Sequence, residues 1–283
     1  MDKPEPEIII IDYPNDSPIV AKNAYPDLKS LLRLFFVLLF YMAIGGLIAG
    51  IFILATQSFN SLLLKSFLNF LSYIITIMLT INYAIEKIEK QQLSAFNFSF
   101  NKIPAWLVPV IVISTLGLPV GLERVSGLIP MPASVQKLFE GLIKKDIFSV
   151  AAIVIAAPVL EEILCRGIVL NGLLKNYSPR KAILISAIFF GVIHLNPWQA
   201  LPAFCGGLFL GWVFYKTKSV IPGMIIHATI NAAASLFLFL PKHQQGFLSL
   251  LGRPYYIVLC VFSTLVFVSG CVIIQKKVLP IER

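Results

Sequence analysis

Residues 147–171 read IFSVAAIVIAAPVLEEILCRGIVLN. The stretch is long and apolar enough to cross a bilayer, which takes about 20 residues for roughly 30 Å of hydrocarbon. Its centre breaks the pattern with Glu161, Glu162 and Arg166. A charge at the middle of an inserted helix costs about 2.5–3.5 kcal/mol. The segment therefore reads as a membrane helix whose polar centre faces a wet or protein-lined interior.

The whole chain agrees with that reading. Of its 283 residues 58% are hydrophobic and 13% charged, with a mean hydropathy of +0.85. A water-soluble globule of this size has too much surface to cover for such a composition. The expected fold class is all-α, a polytopic transmembrane helical bundle. The net charge of +9 falls between apolar runs, where it serves topology and anionic headgroups. No basic patch interleaved with aromatics suggests a nucleic-acid partner; the bilayer is the expected one. Cys165, Cys205, Cys260 and Cys271 all lie in apolar runs with no C-x-x-C, and read as packing residues.

Eight segments read as spans, near 31–55, 67–85, 105–122, 147–171, 182–195, 199–215, 219–240 and 254–275. With the N-terminus inside, the inner segments hold 15 Lys and Arg and the outer ones 7. That bias puts both termini in the cytosol, as expected of a multi-pass protein of the plasma membrane in a bacterial cell. Residues 1–29 are acidic and proline-rich, unlike a signal peptide, and read as a flexible cytosolic tail. The organisation expected is that tail, N-terminal membrane helices over 30–127, a core over 128–240, and a final loop, helix and tail over 241–283. Val135, Leu138, Phe139, Leu142 and Ile143 recur at helical spacing opposite Lys137, Glu140, Lys144 and Lys145. This pattern predicts an amphipathic helix along the membrane surface.

The ionisable residues inside spans are few: Glu161, Glu162, Arg166, His194 and His227. Counted from the nearest inner boundary at about 1.5 Å per residue, Glu161, His227 and His194 lie roughly 15, 13 and 20 Å deep. Three segments thus present acid–base groups at one level. Asn196-Pro197-Trp198 stops the 182–195 segment short. Pro158 should loosen the helix one turn before Glu161. Pro222-Gly223 suits the opening of the His227 helix. Glu162 and Arg166 are one turn apart and should neutralise each other. Glu161 points about 140° away from Arg166 and is left to face a cavity as a general acid or base. Phe190 is placed to fix His194. His227 and Asn231, again one turn apart, aim an imidazole and an amide at one point, which suits an oxyanion. Each residue alone also fits a packing role. The set at one depth favours function.

The patterns Glu161-Glu162-x-x-x-Arg166, Phe190-x-x-x-His194 and His227-x-x-x-Asn231 resemble those of the CAAX-processing and bacteriocin-processing family of intramembrane proteases. This family is also called the Abi or type II CAAX prenyl endopeptidase family. The resemblance covers roughly residues 128–240, with Cys165 standing where the family often has an aromatic. It implies an endopeptidase acting on a peptide or membrane-associated protein, prenylated substrates included. In that scheme Glu161, helped by His194, activates water. His227 and Asn231 hold the oxyanion, and Glu162, Arg166 and Phe190 support them. The family has been described both as metal-independent and as zinc-dependent. Metal-free catalysis is the reading adopted. The alternative is zinc bound by Glu161, His194 and His227, a two-His, one-carboxylate set. A non-catalytic immunity or scaffold protein of the same family is the rival from another class. A proton-coupled transporter would show inverted repeats, and none is apparent.

Overall fold

The computed structural model describes residues 24–55, 61–92, 95–136, 145–241 and 246–278. Among the described residues all regular structure is helical. In chain order the helices are α1 (Leu28–Ala55), α2 (Leu62–Gln92), α3 (Leu107–Leu116) and α4 (Leu118–Ser126). Then come α5 (Ile147–Asn176), α6 (Pro179–Val192), α7 (Pro197–Thr217), α8 (Ile221–Leu236), α9 (Phe247–Leu251) and α10 (Arg253–Lys277).

Six stretches are long and apolar enough to cross a membrane: Leu28–Ala55, Leu62–Gln91, Leu107–Ser126, Ile147–Asn176, Ile221–Phe239 and Arg253–Lys277. They overlap six of the eight expected segments. The other two form α6 and α7. At 14 residues, α6 is only about 21 Å long. It ends as the Asn-Pro-Trp signal requires: Leu195 takes a left-handed φ of 58°, and the Asn196 side chain caps α7 by accepting from the Gln199 N–H. Proline in the first turn of α6, α7, α8 and α10 removes an N–H that no helix would have used.

α5 is the central helix, with every residue from Leu164 to Leu170 buried. α1 pairs with α2, α6 with α7, and α10 covers α3 and α4. α2 meets the α5 segment along one stripe, Ser66, Phe70 and Tyr73. Ser66 Oγ donates to Asp146 at 2.7 Å, Phe70 touches Phe148, and Tyr73 reaches Glu161. Both numberings rise together, so α2 and α5 run parallel. The outer face of α1 and α10 carries exposed Phe36, Phe40, Leu47, Val258, Phe262 and Leu265, an apolar surface suited to lipid.

α5 is irregular where Pro158 predicts. Ala152–Ala156 and Ile163–Leu170 are π-helical. In the first, the Ala157 N–H bonds the Ala152 carbonyl five residues back. The next such donor would be Pro158, which has no N–H, so the Ile153 carbonyl is left without one.

One expectation meets the structure differently. The tail does not extend to residue 29. Ala24 N–H donates to Asn176 Oδ1 and Asn176 Nδ2 to the Ala24 carbonyl. Tyr25 N–H donates to Gln91, and α1 starts at Leu28 behind an Asp27–Ser30 cap. Residues 24–27 are thus pinned across the ends of α2 and α5, because their backbone groups find side-chain partners there. Residues 1–23, and the heart of the amphipathic pattern at 137–144, lie outside the described residues.

Candidate active site

Glu162 and Arg166 form the pair their spacing predicts. Arg166 Nη1 donates to Glu162 Oε1 at 2.7 Å, and both residues are fully buried. Such a pair persists only with further polar partners. Arg166 Nη2 donates to the Gly207 carbonyl of α7 at 3.3 Å. The guanidinium carbon also lies 4.3 Å from the centre of the Phe190 ring of α6, a favourable cation–π distance. Arg166 therefore ties α5 to both helices of the α6–α7 pair.

The pair is not isolated from the histidines. His227 Nδ1 lies 3.2 Å from Glu162 Oε1. A carboxylate accepts only, so Nδ1 carries the proton. This leaves Nε2 toward Glu161, whose Oε2 is 4.0 Å away. The close approach of α8 to Glu162 needs Gly223: a Cβ there would sit 2.5 Å from Glu162 Oε2. Sequence spacing separates a structural pair from a working group; in space His227 stands between the two glutamates.

His194 is positioned separately. Its Nδ1 donates to the Phe190 carbonyl at 2.7 Å, a carbonyl being an acceptor only. The Phe190 ring is edge-on to both imidazoles, with centroids 5.2 Å from His194 and 5.5 Å from His227. Phe190 thus spaces the two histidines, a larger part than the single contact expected of it. No hydrogen bond or ion pair joins His194 to Glu161 among the described residues.

Glu161 has a partner that the motifs do not contain. Tyr73 of α2 donates to its Oε1 at 2.7 Å, while Oε2 is buried and accepts nothing. The signal in the sequence was a tyrosine on the buried stripe of α2. Asn231 does not share one target with His227. Its Nδ2 donates to the orphaned Ile153 carbonyl at 2.7 Å, leaving one N–H of that amide for another acceptor.

A cavity of about 400 Å³ is lined by Phe190, His194, His227 and Asn231, and reaches Glu123 and Trp198. Glu161 is not in its lining; its link to the cavity is His227. Among the described residues no three His, Cys, Asp or Glu side chains are disposed to hold one ion. Glu161 and His227 approach each other, but His194 is set apart by Phe190. As arranged, these residues do not fit the zinc set, and no step below is routed through a metal.

Residues 143–233 match the model of the family described as type II CAAX prenyl endopeptidase Rce1-like. The match begins just before α5 and ends two residues after Asn231, so it contains every residue of the three motifs. No curated protein matches the chain, and no solved structure does.

Proposed function

We propose that this Rce1-like chain is an intramembrane endopeptidase that hydrolyses a peptide bond of a peptide or membrane-associated protein, with prenylated substrates in its range. The observation that carries the reading is Glu161 Oε2, buried without a hydrogen-bond donor beside His227 Nε2. An unpaired buried carboxylate oxygen is costly; Glu162 Oε2 is another, but it lies against Gly223, whereas Glu161 Oε2 lies beside the imidazole that lines the cavity.

In the proposed step Glu161 accepts a proton from a water that His194 helps to hold. The water oxygen bonds to the scissile carbonyl carbon, and the carbonyl electron pair moves onto oxygen. The remaining N–H of Asn231 donates to that oxyanion, and His227 does so through Nε2 in the form that carries a proton on both ring nitrogens, Nδ1 staying on Glu162. The centre then collapses, the C–N bond breaks, and the proton passes from Glu161 to the leaving nitrogen. Glu162 and Arg166 fix the His227 ring and the helix that carries Glu161.

We also place both termini in the cytosol, the membrane being the plasma membrane if the cell is bacterial, with α6 and α7 at membrane depth, giving eight segments. The excess of Lys and Arg on the inner side supports this orientation, and the parallel run of α2 and α5 fits the single crossing, α3–α4, between them. The cavity reaches Ser126, Trp198 and Phe237, which this topology puts at outer helix ends.

Replacing Glu161 or His194 with Ala should abolish cleavage in membranes and leave the thermal unfolding midpoint in place. Retained cleavage overturns the proposal. Activity that survives a chelator, in protein free of zinc by elemental analysis, supports metal-free hydrolysis; activity restored only by zinc overturns that part. The separation of His194 from Glu161 favours one rival reading, a non-catalytic scaffold or immunity protein, whose phenotype would survive Glu161→Ala.

A further inference from the structure

We infer that Tyr73 is a positioning residue of the site, holding the Glu161 carboxylate from a helix that lies outside the matched stretch of residues 143–233. The inference rests on the reading of Glu161 as the base. Glu161 is faced by Tyr73 from α2 and by His227 from α8, with Cys165 one turn further along its own helix. Of these, Tyr73 alone donates a hydrogen bond to it, at 2.7 Å to Oε1.

The terminal torsion of a glutamate is broad and nearly two-fold. A carboxylate with no fixed contact would turn freely. Tyr73 engages one oxygen and so decides which one faces His227 Nε2 at 4.0 Å. Here one oxygen is held and the other is exposed to the histidine, which is the arrangement of a preorganised base.

The position of the phenol is itself fixed. Ser66 and Phe70, on the same stripe of α2, dock on Asp146 and Phe148 at the start of α5. Further along that stripe Ile77, Ile81, Ala84 and Ile88 are buried in the core. Tyr73 sits between these two anchors, so the hydroxyl is carried by a packed helix.

The test is the infrared carboxylate band of Glu161 in the purified full-length chain in nanodiscs, assigned by its loss in Glu161→Gln. Tyr73→Phe should shift that band with the unfolding midpoint kept. 3-Fluorotyrosine at position 73, a stronger donor of the same shape, should shift it the opposite way. A band unmoved by both changes overturns the inference. Should Tyr73→Phe fail to fold, the fluorinated residue decides alone, by a shift or by none. With the precursor that accumulates in Glu161→Ala membranes as substrate, Tyr73→Phe should lower kcat about tenfold or more with KM little changed; an unchanged kcat overturns the positioning role. A shifted band together with no precursor in Glu161→Ala membranes supports the hold on Glu161 and rejects the peptidase reading instead.

Discussion

Asn231 Nδ2 donates to the Ile153 carbonyl across 2.7 Å, joining α8 to the one carbonyl of α5 that Pro158 deprives of its π-helical donor. The bulge before Glu161 and the amide beside the cavity are therefore one feature. Asn231→Ala should destabilise the protein by about 1–3 kcal/mol, the cost of an unsatisfied buried acceptor. Pro158→Ala supplies an N–H of its own, so the Asn231→Ala loss should shrink in that background. Chemical unfolding in micelles of the two single variants and the double variant checks this. Equal losses in both backgrounds would contradict it.

Arg166 is bound by shape as well as charge. It bonds Glu162, bonds the Gly207 carbonyl and covers the Phe190 ring. Arg166→Ala leaves a buried carboxylate unpaired and should cost about 3–5 kcal/mol. Arg166→Lys keeps the charge but loses the planar fork and the stacking, so it should recover only part of that stability. Unfolding midpoints of both variants measure the difference.

Gly223 is where α8 passes closest to Glu162. A methyl group there meets Oε2 at 2.5 Å, and a carboxylate held at its other oxygen by Arg166 and His227 has little room to retreat. Gly223→Ala should cost about 1–3 kcal/mol, as overpacking does, and should lower activity by displacing His227. Gly206, whose Cβ would meet nothing within 4 Å, is the control: Gly206→Ala should leave stability nearly unchanged.

Asp146 gives a pH signature outside the membrane-spanning part of α5. Burial pushes its carboxyl upward. Bonds from the Ser66 hydroxyl, the Ser149 N–H and hydroxyl and the Phe148 N–H outweigh this and hold it below the usual carboxylate value. A group with a depressed folded pKa contributes stability that is full above its unfolded value, near 3.9 for Asp. That stability is lost as pH falls through the folded value. Wild-type protein should therefore lose stability on acidification below about pH 4 in a way that Asp146→Asn does not. Parallel slopes of midpoint against pH in the two proteins would contradict the assignment.

Much of this was legible in the sequence, where the determinants are local. Apolar length foretold the helices. Asn196-Pro197 foretold the break near His194, which lies in the turn just past the end of α6 at Val192. The spacing of Glu162 and Arg166 foretold their ion pair, since neighbours on one helix face are fixed by its turn. What was not legible depends on contacts between helices. Tyr73 escaped notice because a neutral tyrosine in an apolar run looks like packing, and only the register of α2 against α5 brings it to Glu161. The bond from Asn231 to Ile153 spans 78 positions, so neither residue announces it. The link of Glu162 to His227 depends on the close approach that Gly223 permits. The pinning of residues 24–27 needed the facing ends of α2 and α5, which composition does not reveal.

The central claim is that Glu161 does chemistry on a peptide bond. The most direct test compares the N-termini of membrane proteins in cells expressing wild-type protein and Glu161→Gln, which keeps the side chain's size and removes its basicity. The account predicts at least one new N-terminus in wild-type membranes, with the uncleaved precursor accumulating in Glu161→Gln membranes at equal levels of the two proteins. Identical sets of N-termini would contradict it.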